Sequence, residues 1–83
     1  MDIDLNKAVA LLKAGDWEAA HRIVQDDESS LGAWAHGIVH MLEGDMANAG
    51  YWYRRADRLL PDKDCAEAEI EALAAALEGP HSS

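Results

Sequence analysis

The spacing of small and large residues between Gly37 and Pro61, GIVHMLEGDMANAGYWYRRADRLLP, constrains this chain more than any other feature. Read as Gly-x2-His-x3-Gly-x-Met-x2-Ala-x3-Tyr-x2-Ala-x4-Pro, it predicts a helix, a tight turn at Gly44-Asp45, a second helix and a proline stop. Gly37, Gly44, Ala49 and Ala56 fall where two antiparallel helices must approach closely. His40, Met46, Tyr53 and Leu60 are expected to fill the space between them.

A weaker copy lies upstream, Ala8-x2-Leu11-x3-Gly15-x-Trp17-x2-Ala20-x3-Val24. The two copies together resemble the tetratricopeptide repeat, a helix-turn-helix unit of roughly 34 residues. Gly37, Gly44, Ala49, Tyr53, Ala56 and Pro61 match its pattern, while His40 and Met46 stand where aromatics are usual. The first copy departs further, with Asp27 in place of a small residue and Gly32 in place of a proline. Its turn glycine, Gly15, lies 29 residues before Gly44, so the second helix of the first unit, or the link after it, is expected to be shortened. The resemblance implies an all-α fold of five helices: two antiparallel helical hairpins and a C-terminal capping helix, in a right-handed stack. It also implies a scaffold for binding proteins, although such scaffolds host unrelated functions.

Composition points the same way. The 83 residues are 49 % hydrophobic but only 6 % aromatic, without Phe, so the apolar surface is mostly Ala and Leu and suits close helix packing. A single domain over residues 1–79 is expected, followed by a flexible polar tail at 80–83. Sixteen acidic against seven basic residues give a formal charge of −9, which opposes binding to nucleic acid or to an anionic membrane surface. Arg54, Arg55 and Arg58 form a local basic cluster, read as complementing a helix C-terminus. The one cysteine, Cys65, excludes an intrachain disulfide and reads as a small core or half-buried residue. No signal-like region and no membrane-spanning run is recognisable, so a cytoplasmic protein is expected.

Five helices follow from caps and stripes. The first runs from about Asp4 to Ala14, with Asp2 or Asp4 as cap, and the second starts at Asp16 and gives way to a polar linker over residues 25–30. The third, capped by Ser29 or Ser30 and ending at Glu43, is apolar almost all round and so should be central. The fourth is expected from Asp45 to Leu60, with Ala49, Trp52, Tyr53, Ala56 and Leu59 or Leu60 inward. The fifth runs from about Lys63 to Glu78, with Ala66, Ile70, Leu73, Ala74 and Leu77 inward and its acidic residues Asp64, Glu67, Glu69 and Glu71 facing solvent.

Two constellations could carry function. On the helix-one and helix-three face, Leu5, Val9, Trp34, Ile38 and Met41 form an apolar stripe against which a partner helix or peptide could dock. Helix five or a second copy of the protein could cover the same stripe, which leaves a homodimer as a further possibility. On another face of helix three, His36, His40 and Glu43 are spaced i, i+4 and i+7, and two imidazoles on successive turns can chelate a divalent metal. His21 on helix two could join them. The competing explanation is that these are interior polar residues hydrogen-bonded between helices. No nucleophile elbow, phosphate loop or Cys-His pairing is present, and no catalytic residue and no cofactor is implied. The leading expectation is a non-enzymatic protein–protein interaction module, with metal binding and self-association as alternatives.

Overall fold

The structure is a computed structural model and describes residues 4–78. The expected tail at 80–83 lies outside them. Five α-helices follow one another: α1 (Leu5–Lys13), α2 (Trp17–Val24), α3 (Ser30–Glu43), α4 (Met46–Arg55) and α5 (Ala66–Glu78), the last preceded by a single 3-10 turn at Lys63–Cys65. The described residues are all-α, without strands.

The first four helices begin for the same chemical reason. A short polar side chain accepts a hydrogen bond from an otherwise unpaired first-turn amide: Asp4 from Lys7 N at 3.1 Å, Asp16 from Ala19 N at 3.2 Å, Ser29 from Gly32 N at 3.0 Å and Asp45 from Asn48 N at 3.2 Å. Each cap contributes on the order of 1 kcal/mol. Within the two hairpins the turns rest on Gly15 (φ 82°) and Gly44 (φ 94°), backbone conformations that a Cβ would oppose.

Packing is centred on α3, which contacts each of the other four helices. Every residue from Gly32 to Val39 is buried, so the helix is enclosed on all sides, as its near-continuous apolar surface requires. Against α4 the approach is close: a Cβ on Gly37 would lie 2.5 Å from Tyr53 Cδ1, so only glycine admits the ring there. Tyr53, Ala49 and Ala56 line the inner side of α4, and Leu12, Ala8 and Val24 bring in the first hairpin.

Helix α5 covers the apolar stripe expected to be a docking groove. It packs on both α1 and α3, with Ala66, Ile70 and Leu73 buried. Val9, Trp34, Ile38 and Met41 are consequently 6 %, 3 %, 0 % and 5 % exposed, and Leu5 is half-buried. The stripe is core, because α5 supplies the apolar face that it needs.

Helix α4 ends earlier than expected, at Arg55 rather than Leu60. Asp57 adopts a left-handed conformation (φ 61°), Arg58 N donates to Tyr53 O at 2.9 Å and Asp57 N to Arg54 O at 3.0 Å. These two bonds make a Schellman stop with aspartate where glycine is usual. Pro61 disfavours helical geometry at Leu60, so the chain turns out of the helix once Ala56 has completed the inner stripe. Leu59 and Leu60, one of which was expected to face inward, are instead 95 % and 37 % exposed.

Candidate metal centre

Three histidines from two helices meet beside α4. His21 comes from α2, and His36 and His40 from successive turns of α3. One ring nitrogen from each lies within 4.8 Å of the other two. Points no farther apart than that surround a centre at most about 2.8 Å from each, against roughly 2.0–2.1 Å for a zinc–imidazole bond. An inward shift of at most about 0.7–0.8 Å per ring would therefore complete three-point ligation. His21 and His40, only partly buried, have room for it.

The rings are ordered by aromatic packing. His36 is central, 4.8 Å from His21 edge-on (80°), 5.0 Å from His40 (22°) and stacked on Trp52 at 3.9 Å and 9°. It is 5 % exposed, and its Nδ1 is the one buried side-chain nitrogen or oxygen among the described residues without a hydrogen-bond partner. Burial, then the charges that His21 and His40 would carry, lowers the His36 pKa from 6.5 to about 4. The imidazole is thus neutral near pH 7, the state in which a lone pair is available to a cation.

Carboxylates border the cluster on one side. His40 Nδ1 is 2.7 Å from Glu43 Oε1. In neutral His40 a hydrogen bond there puts the proton on Nδ1 and leaves Nε2 as the ligating nitrogen, the arrangement by which carboxylates orient metal-bound histidines. Asp45 approaches as well, since one ligand atom from each of His40, Glu43 and Asp45 lies within 4.8 Å of the others. Its carboxyl is held below the usual range, first by its hydrogen bond from Asn48 N and next by that from the Asn48 side chain. Glu43, through its contact with His40 Nδ1, is placed to orient that ring.

All four residues singled out for metal, His21, His36, His40 and Glu43, come together. Helical spacing made three of them visible. Asp45 and the Trp52 stack were missed, because each depends on how the α3–α4 turn folds back. The competing explanation, interior histidines hydrogen-bonded between helices, does not account for His36 Nδ1, which has no such partner.

The other buried polar cluster is structural. Glu69 Oε1 accepts from Trp34 Nε1 at 3.1 Å and from Tyr53 Oη at 2.6 Å, while the Arg58 guanidinium lies 3.5 Å over the Trp34 ring. Burial, and then the Glu69 carboxylate, pushes the Tyr53 pKa far above its ordinary value. Glu69, read from sequence as a solvent-facing acid, instead joins α5 to α3 and α4.

Comparisons with protein-family models, with characterised proteins and with solved structures find no match to this chain. No helix among the described residues is long and apolar enough to cross a membrane.

Proposed function

We propose that this protein binds a divalent late first-row metal ion, of which Zn²⁺ is the type, through His21, His36 and His40, with Glu43 orienting His40. The observation that carries this reading is that one ring nitrogen from each of three histidines converges, and that the most buried of them, His36, has an Nδ1 without a hydrogen-bond partner. Imidazole donors suit zinc, copper and nickel better than calcium or magnesium. Because His21 belongs to the first hairpin and the other two to the second, a bound ion would join the hairpins, and binding free energy would become folding free energy. The role is that of a non-enzymatic metal-responsive domain. Its two hairpins are read as tetratricopeptide-like, a reading supported by the close Gly37–Tyr53 approach and the glycine turns at 15 and 44.

Isothermal titration of chelator-stripped protein with Zn²⁺ tests the metal reading. One equivalent should bind, His21→Ala and His40→Ala should each weaken binding at least tenfold, and Glu43→Gln should cost roughly 10–100-fold, as loss of an orienting carboxylate does. Absence of uptake, or a His21→Ala/His40→Ala double variant that binds as tightly as the parent, would refute it.

A further inference from the structure

Three of the seven cationic residues, Arg54, Arg55 and Arg58, are crowded into five positions of a chain with sixteen carboxylates. None of the three forms an ion pair among the described residues, where Lys13 pairs with Glu71. Arg55 and Arg58 lie over aromatic faces instead, Arg55 over Trp52 at 5.3 Å and Arg58 over Trp34 at 3.5 Å. Next to them Leu59, 95 % exposed, is held outward by the left-handed turn at Asp57. Arg54, Asp57, Arg58 and Leu59 border one shallow hollow, whose two guanidinium groups outnumber its single carboxylate. An apolar knob collared by arginines is a contact surface in search of an acidic, concave complement.

That complement exists on the same molecule. Between α1 and α5 lies an open cleft of about 400 Å³, lined by Leu12, Ile70 and Ala68 with Glu67, Glu71 and Lys13 around it. Lys13 reaches only Glu71, at 3.9 Å and with both side chains well exposed. The cleft therefore keeps a net negative rim over an apolar floor. We propose that Leu59 of one copy seats in the α1–α5 cleft of a second copy, with the arginine collar against Glu67 and Glu71.

Knob and cleft are different surfaces, so a single contact is heterologous, and a pair closed by a two-fold axis would make it twice, each copy giving one knob and receiving one. Both copies are acidic, but at physiological ionic strength the Debye length of about 8 Å screens their overall repulsion more than the ion pairs formed at contact. The surface involved is small, which places the dimer among weak, concentration-dependent associations.

Sedimentation equilibrium from micromolar to millimolar protein tests the pairing. The parent should pass from monomer to dimer with rising concentration. Leu59→Asp, which removes the knob at an exposed position, and Ala68→Trp, which fills the cleft at another, should each remain monomeric with unchanged helical circular dichroism. Mixed together they should recover a weak heterodimer, because the first retains its cleft and the second its knob. A parent that stays monomeric throughout leaves the knob to some other acidic partner and overturns the proposal. Dimerisation that persists in Leu59→Asp overturns it too.

Discussion

At His36, burial and basicity pull against each other. The ring is packed against Trp52 on α4, His21 on α2 and His40 on α3, with Glu43 and Asp45 reaching only the His40 side. Its pKa falls from 6.5 to about 4 in the folded chain, chiefly by desolvation. Protons therefore bind the unfolded state more readily between those two values. Metal-free protein should hold full stability above about pH 6.5 and lose up to roughly 3 kcal/mol from this residue as pH falls towards 4. Urea titrations across that window check the slope, and His36→Gln should flatten it. Asp57 sets a second opposition, between a left-handed backbone (φ 61°) and a side chain with a Cβ. Asp57→Gly should raise stability by about 1 kcal/mol, seen as a higher urea midpoint with an unchanged slope.

Among the helices, what could be read in advance depends on how local the determining contacts are. The starts of α1 to α4 were legible because each cap involves a side chain and an amide three residues on. The centrality of α3 was legible from its apolar circumference. The end of α4 was not, since inner spacing favoured continuation to Leu60 while Pro61 and the Asp57 turn stopped the helix at Arg55. Nor was the role of α5 at Glu69, whose partner Trp34 lies 35 residues away and leaves no local pattern. The same distance rule divides the metal centre: His36, His40 and Glu43 share one helix face, whereas His21 depends on how α2 packs on α3. Glu69 offers the clearest test at this scale. Glu69→Ala should cost about 2–4 kcal/mol in chemical denaturation, because two buried donors, on Trp34 and Tyr53, lose their acceptor together. A cost near that of an ordinary surface substitution would show that α5 is held by apolar packing alone.

For the molecule as a whole, the three histidines convert a packing question into a binding one. Without an ion, the cluster leaves a buried nitrogen unpaired at the junction of two hairpins. With one, the same residues would tie α2 to α3 and raise the stability of the entire domain. The measurement that bears most directly on this is a thermal melt of chelator-stripped protein, followed by circular dichroism, with and without Zn²⁺. At a free concentration a hundredfold above Kd, an ion that binds only the folded state adds about 2.7 kcal/mol. For a chain of this size the melting temperature should then rise by about 10 °C or more, and the His21→Ala/His40→Ala variant should show no such rise. Coincident melts of the parent protein in zinc and in chelator would contradict the metal centre outright.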